Sequence, residues 1–317
     1  MDYRIGFVAC FIVGFAYGQE CRVFGDPVEG EARQSSQEWK YVHSVIHLHD
    51  SLPEAYAFEA VTDANEQLAA SRIELSLVDV IHHPVYDGVC FPDNYAEMEA
   101  YIDPLQYPTD SFLNIHVFPD FCGSVLGFAF LWYQAGQEAD GVYVRTDCFG
   151  LSGDLLEGRE GNATLVHELG HYFSLFHVFQ GVDYCGEEEA DCTLVNDRVC
   201  DTPPTKLNWS CTNPICPPSL YGYEPNNYMD YYPDSCKTTF TMGQVDRMHS
   251  VFPAWRPQIP KESQYLPGDI NNDMLVGVGD LLIMFSVYGG SHSQADINKD
   301  GLVSVMDLTT LLMHYGQ

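Results

Sequence analysis

What the chain lacks narrows it first. Only 14 of its 317 residues are Lys or Arg, against 45 Asp or Glu, and the net charge is −31. Nucleic acid and anionic membrane surfaces are excluded as partners, because both are bound through clustered cations. No apolar run approaches the roughly 20 residues that span a bilayer. No CxxC pair occurs, which leaves a cysteine-built structural zinc site without support. Extended disorder is excluded too, since 46% hydrophobic and 13% aromatic residues suffice for a sizeable core.

The start of the chain has the form of an export signal: Arg4, an apolar run from Gly6 to Tyr17, and small residues at Ala16 and Gly18. Cleavage after Gly18 is expected, leaving residues 19–40 as an N-terminal segment and sending a protein without a membrane span outside the cell. Ten cysteines remain: Cys21, Cys90, Cys122, Cys148, Cys185, Cys192, Cys200, Cys211, Cys216 and Cys236. An even number in an oxidising compartment predicts up to five disulfides, with connectivity open. NAT at Asn162 and NWS at Asn208 are glycosylation sequons.

Apolar patterning predicts strands over Tyr41–His49 and Ile73–Val80, separated by a helix that starts near Ser51 and Pro53. Further strands are expected in FLNIHVF from Phe112, LGFAFLW from Leu126 and GVYVRT from Gly141, and a helix from about Ala163. Thr241 and Gln244 have capping-box spacing ahead of an amphipathic helix. These elements describe an α/β (α+β) domain over residues 41–257. Proline-rich residues 258–268 are expected to be a linker.

Residues 167–177 read HELGHYFSLFH. Helical residues four apart share a face, so His167 and His171 can both address one ion. Zinc hydrolysis needs three protein ligands, an open position for water and a carboxylate to take its proton. His177 supplies the third ligand and Glu168 the base. Gly170 permits close packing behind the helix.

With the segments QG at Gln180, Cys185, DRVCDTP ending at Pro203, NYMDY from Asn227, DSC ending at Cys236 and FTMGQVDRM from Phe240, the sequence resembles the pappalysin family of metzincin metallopeptidases. The resemblance implies a mixed sheet with an active-site helix, one catalytic zinc and a polypeptide substrate. It implies that Met229 forms the turn beneath the zinc and that Tyr231 stabilises the tetrahedral oxyanion. LGFAFL would be the edge strand that pairs with extended substrate. It further implies structural calcium between the third histidine and the methionine turn, where Glu187, Glu188, Glu189, Asp191, Asp197 and Asp201 lie. Asp197 and Asp201 are the preferred pair, an acidic solvent-facing loop being the alternative. Cys21 is the candidate for a latency cysteine. Ser174 departs from the family, which has glycine at that turn, and a Cβ there costs about 1–2 kcal/mol in left-handed dihedrals.

Residues 269–317 contain a repeat that places oxygen donors at loop positions 1, 3, 5 and 12: Asp269, Asn271, Asp273, Asp280, then Asp296, Asn298, Asp300, Asp307. All six acids beyond residue 265 fall on positions 1, 5 or 12, which points to calcium rather than solvated charge. Met274 replaces the turn glycine that Gly301 keeps. Helical spacing of Leu281, Leu282 and Phe285, and of Leu308, Leu311 and Leu312, is expected to pack two helices together. Paired loops of this kind resemble all-α dockerin modules, which implies about two calcium ions and a cohesin-type scaffold protein as partner. A calcium-stabilised domain without such a partner is the alternative. The reading as a whole is a secreted metalloendopeptidase, with a non-catalytic binding protein on the same fold as the rival.

Overall fold

A computed structural model describes residues 10–13, 38–85, 95–121, 123–181, 185, 192–193, 196–210, 215–216, 226–261, 266–271, 275–292, 295–298 and 301–316. It forms two compact units, one ending at Pro260 and one beginning at Lys261. Cys21, the acids 187–191, Asp273, Met274, Asp300 and most of the expected export signal lie outside the described residues.

The first unit is built on a mixed sheet. Its strands are β1 (Cys10–Val13), β2 (Lys40–Leu48), β3 (Ile73–His82), β4 (Leu113–Phe118), β5 (Val125–Ala129) and β6 (Val142–Arg145). The spatial order is β1-β5-β6-β4-β2-β3, with β5 antiparallel to both neighbours and the other pairs parallel. The strand expected at the open edge therefore carries the chain's own residues 10–13 on its outer side. Helix α1 (Glu54–Leu68) joins β2 to β3 and buries Ala57, Ala60, Val61, Ala64 and Leu68, a stripe at helical spacing whose small residues let it lie close to the sheet.

Both faces of the central strands are covered, as parallel pairing requires. On one face Val42, Ile46, Leu48, Ile115, Val117, Val142 and Val144 pack with α1 and with α3 (Ala163–Tyr172). On the other, α2 (Tyr95–Ile102) buries Met98 and Ile102 against Phe118, Phe128 and Tyr143. That second face also holds a stack of rings that crosses the strands. Phe128 lies 4.5 Å from Tyr143, Tyr143 5.0 Å from His116, His116 4.4 Å from His47, and His47 5.3 Å from His83. The period-two alternation of β2 puts His49 on the same face as His47, where it stacks on Phe118 at 4.1 Å. Hydrogen bonds join His47 Nδ1 to His83 Nε2 and His49 Nε2 to His116 Nδ1, each at 3.0 Å.

Helix α4 (Met242–Trp255) begins with the expected capping box: Thr241 Oγ1 accepts from Gln244 N–H at 3.1 Å, and Gln244 Oε1 accepts from Thr241 N–H at 2.8 Å. Past its end, Arg256 is buried in a two-pronged ion pair with Asp140, at 2.6 and 3.0 Å. Arg256 also donates to the carbonyls of Tyr172 and Phe130, which ties α4 to the end of α3 and the end of β5. Ile259 is fully buried in the same core, so the expected linker begins inside the first unit.

Disulfides join Cys185 to Cys216 and Cys192 to Cys200, and Cys236 is also bridged. Cys148 is a free, buried thiol, so the ten cysteines do not form five bridges. It sits in the main core, where its burial suits its behaviour as a small hydrophobe.

The second unit contains α5 (Val278–Val287) and α6 (Val305–Met313) around Ile270, Val276, Met284, Ala295, Val303 and Leu311. Leu281 and Leu308 pack on this core as expected, but Leu282, Phe285 and Leu312 are 66%, 58% and 53% exposed. Helices that are apolar nearly all round do not announce which stripe faces inward, and a core this small takes only one stripe from each. Among the described residues no helix is long and apolar enough to cross a membrane.

The histidine stack makes the first unit acid-sensitive. Burial lowers the pKa of His47 to about 3 and of His49 to about 2, and depresses that of fully buried His116. An unfolded chain takes up these protons below about pH 6.5 while the folded chain does not. Stability is therefore full above pH 6.5 and falls as pH drops toward 3, by about 1.4 kcal/mol per pH unit for each such group. Urea unfolding of wild type and His49→Phe between pH 4.5 and 6.5 should show a shallower pH slope in the variant, by about that amount.

Candidate active site

The zinc-type motif lies on α3, whose ten residues are all buried. Asp234 Oδ2 accepts from the N–H of Ala163, the first residue of the helix, at 3.1 Å, so a carboxylate distant in sequence caps it. Asn162, just before the helix, accepts from Gly150 N–H and donates to the Ala60 carbonyl, both at 2.9 Å. Those bonds and its complete burial remove Asn162 as a glycosylation acceptor in the folded protein. Asn208 is 3% exposed, with its side chain accepting from Ser210 N–H.

The far end of α3 closes in a Schellman motif. Ser174 N–H donates to the His171 carbonyl and Leu175 N–H to the Gly170 carbonyl, both at 2.9 Å. Ser174 sits at the left-handed position with φ +85°, the strain expected of a residue where glycine is usual. Its carbonyl is held by Arg247 Nε at 2.8 Å, and the Arg247 guanidinium lies over Trp132 and Phe176. The surroundings thus hold the turn despite the Cβ.

This turn brings His177 to the two helical histidines. The three Nε2 atoms lie 3.0, 3.1 and 3.2 Å apart. His167 Nδ1 donates to the Tyr228 carbonyl at 2.6 Å and His171 Nδ1 to the Leu175 carbonyl at 2.8 Å. Those donations fix the tautomer, so at least two Nε2 atoms present lone pairs to the same point. Burial lowers the pKa of all three, that of His171 to about 4, and keeps them neutral. Converging lone pairs repel unless a cation sits among them, and three neutral imidazoles suit zinc. Among the described residues this is the one group of three or more such donors placed to share an ion.

Glu168 is fully buried, and neither carboxylate oxygen has a hydrogen-bond partner. Burial raises its pKa, an effect that the Lys237 charge opposes. Strand β5 runs so close that a Cβ on Gly127 would lie 2.9 Å from Glu168 Cγ and 2.9 Å from the Tyr143 carbonyl oxygen. The Tyr231 ring is 4.7 Å from the His177 ring and 5.8 Å from that of His167. Phe179 stacks on His177 at 4.7 Å and packs edge-on to Tyr231 at 4.9 Å, and Trp209 lies 5.1 Å from Tyr231. Met229 is buried with its sulfur against Gly170, where any side chain would collide with it. Asn227 Oδ1 accepts from Met229 N–H at 2.9 Å, and its amide pairs with Gln244 of the capping box.

Asp197 and Asp201 have protein partners. Asp197 accepts from Val199 N–H and Thr202 Oγ1, and burial pushes its pKa up to about 7. Asp201 accepts from Thr241 Oγ1 and Gly243 N–H, both at 2.7 Å, and so caps α4. In the second unit, Asp280 accepts from the N–H groups of Ile270, Asn271 and Gly277, and Asp307 from those of Asn298 and Ser304. Asp296 accepts from Gly301 N–H. The two loops thus share one internal pattern.

Sequence spacing did not reveal Tyr228, Asp234, Gly127 or the stack around His116. Tyr228 acts through its carbonyl, Asp234 from 71 residues away, and Gly127 through an absent side chain. The alternation of His47 and His49 was the one visible sign of the stack.

Replacing Ser174 by Gly should relieve the left-handed strain and stabilise the protein by about 1 kcal/mol. Thermal unfolding would show it as a rise of a few degrees, and an unchanged or lower melting temperature would count against the strain.

The profile of the peptidase family described as pregnancy-associated plasma protein-A matches residues 106–253. Extracellular metalloproteases from the fungi Colletotrichum graminicola and Coccidioides posadasii are each 34% identical, over 155 and 153 residues; either match takes in 45% of this chain and 50% of the relative. The chain spans about half the length of these curated relatives. A second Colletotrichum graminicola extracellular metalloprotease is 31% identical over 219 residues, 65% of this chain and 67% of the relative. Among solved structures, Tannerella forsythia mature mirolysin in complex with a cleaved peptide superposes with a TM-score of 0.58 at 22% identity, covering 71% of this chain and 96% of mirolysin. That likeness shows a shared metzincin-like α/β fold. With the fungal relatives and the matched profile, it follows that the chain belongs to the pappalysin family of metallopeptidases typified by pregnancy-associated plasma protein-A.

Proposed function

We propose that the protein is a secreted zinc metalloendopeptidase that hydrolyses extended polypeptides. The observation that carries this reading is the convergence of His167, His171 and His177 beside a buried Glu168 whose oxygens have no protein partner. The three imidazoles would hold the ion. Bound zinc would supply Lewis-acid polarisation of the scissile carbonyl and a lowered pKa for the attacking water. Glu168 takes the proton of that water and passes it to the leaving amine, work for which a buried carboxylate of raised pKa is suited. Tyr231, beside His177, places a phenol to donate to the oxyanion. Met229 supports the ligands from below.

Strand β5 would align the substrate through backbone hydrogen bonds. Its outer side already accepts an extended antiparallel segment, residues 10–13, which fall within the stretch expected to be removed on export. Removal would open that edge. Ser174, the departure that would favour a non-catalytic scaffold, closes its turn with all ligands converging, which supports the catalytic reading. Calcium binding by the two loops of residues 269–317, and docking of that module on a cohesin-type partner, rest on the dockerin-like repeat.

The test is cleavage of a casein or gelatin pool by purified, zinc-loaded protein. Chelation should abolish cleavage and added zinc restore it. Glu168→Ala should lower kcat/KM by at least about a hundredfold while elemental analysis still finds one bound zinc per chain. Stoichiometric zinc in the wild type with no cleavage of any pool, with or without the N-terminal segment, would sink the proposal.

A further inference from the structure

Arg247 projects from the buried side of α4 and is 6% exposed. Its Nε donates to the Ser174 carbonyl at 2.8 Å. Its guanidinium carbon lies 5.1 Å from the centre of the Trp132 ring and 5.6 Å from that of Phe176. Those two rings meet edge to face at 4.8 Å and are buried with Leu131 in a small cluster of their own. Arg198 lies over Phe176 as well, at 5.4 Å. Ser174 and Phe176 bracket Leu175, whose carbonyl accepts from His171 Nδ1, and Phe176 directly precedes His177. One side chain therefore holds the backbone on one side of that carbonyl and a ring on the other.

The turn needs such a restraint. Ser174 has φ +85°, a conformation that a residue with a Cβ adopts only when its surroundings impose it. Its own hydroxyl is buried without a hydrogen-bond partner, so the side chain that causes the strain does nothing to offset it. The restraint comes from outside the turn, through Arg247. A guanidinium suits the task because it is weakly hydrated, stacks on aromatic rings and donates in a fixed direction. The grip also reaches the segment that follows β5, since Leu131 and Trp132 lie just beyond the end of that strand.

Building on the zinc-peptidase reading, we propose that Arg247 is a positioning residue for the metal ligands: by clamping Ser174 and Phe176 it keeps the strained turn closed, with His171 and His177 aimed at the ion. Its importance is tied to the serine, because glycine would hold the same dihedrals unaided. Only the closed turn presents all three imidazoles, so the apparent zinc affinity falls in proportion to the fraction of chains in which the turn is closed.

The experiment uses the full-length chain as wild type, Arg247→Met, Ser174→Gly and the double variant. Zinc affinity is read by competition with a chromophoric chelator, and ligand geometry from the visible absorption of the cobalt-substituted proteins. Arg247→Met alone should weaken zinc binding at least about tenfold, and in the Ser174→Gly background by no more than about threefold. The cobalt bands should change in Arg247→Met and return in the double variant, a signature that a general loss of stability does not produce. Arg247→Lys keeps the charge but not the planar stacking, and should fall between wild type and Arg247→Met. It carries the same comparison if the methionine variant does not fold. Equal loss of zinc affinity in the two backgrounds, or unchanged affinity with only a lower melting temperature, overturns the role of Arg247. Absence of stoichiometric zinc from wild type and Ser174→Gly alike would instead overturn the metal-centre reading, and this role with it.

Discussion

Three neutral imidazoles must aim the same nitrogen at one point, and much of the first unit follows from that constraint. Lone pairs about 3 Å apart repel, so each ring has to be held there by something other than its neighbours. Helical pitch aligns His167 with His171, but His177 arrives only because the chain reverses at Ser174. The Leu175 carbonyl that this reversal exposes is the acceptor for His171 Nδ1. One turn therefore delivers the third donor and orients the second. The strain at Ser174 is consistent with that double duty, since the geometry is dictated by the donors and the residue there adapts.

The remaining supports act on the helix ends and flanks. Asp234 and Asn162 hold the start of α3, while Arg256, paired with Asp140, grips the Tyr172 carbonyl at its end. A buried pair of this kind contributes little net stability, because desolvation offsets the attraction, yet losing one partner would strand the other. Its effect is positional: the same guanidinium bonds Phe130, so the end of β5 is set relative to the end of α3. That setting brings Gly127 against Glu168. The carboxylate and the strand proposed to align substrate are thus placed by one clamp.

Legibility in the sequence followed the range of the interaction. His167, Glu168 and His171 share a helix, and the capping box of Thr241 and Gln244 spans four residues, so spacing alone described them. The strands were legible because β2 and β4 are largely buried on both faces and read as mostly apolar runs, interrupted by histidines, Ser44 and Asn114. What spacing could not show were contacts made by backbone atoms or missing side chains, as at Tyr228 and Gly127, and the inward stripe of helices as apolar as α5. The hydrogen bonds of Asp197 to its own turn and of Asp201 to the start of α4 were hidden for a related reason, because carboxylates that cap helices and turns have the same composition as calcium loops.

The two histidine clusters sharpen the same distinction. All of the imidazoles at 47, 49, 116, 167, 171 and 177 are buried and held neutral by desolvation. On the sheet, His47 donates or accepts toward both Asn114 and His83, and His49 toward both Tyr101 and His116. Each of those two rings has both nitrogens occupied and lies flat against its neighbours, so neither has a lone pair left for an ion. On α3, carbonyl oxygens take up the Nδ1 protons of His167 and His171 and leave the Nε2 lone pairs to converge. Histidine content and burial are alike in the two places. The carbonyl partners, supplied by Tyr228 and Leu175, are what separate a packed aromatic stack from a metal centre.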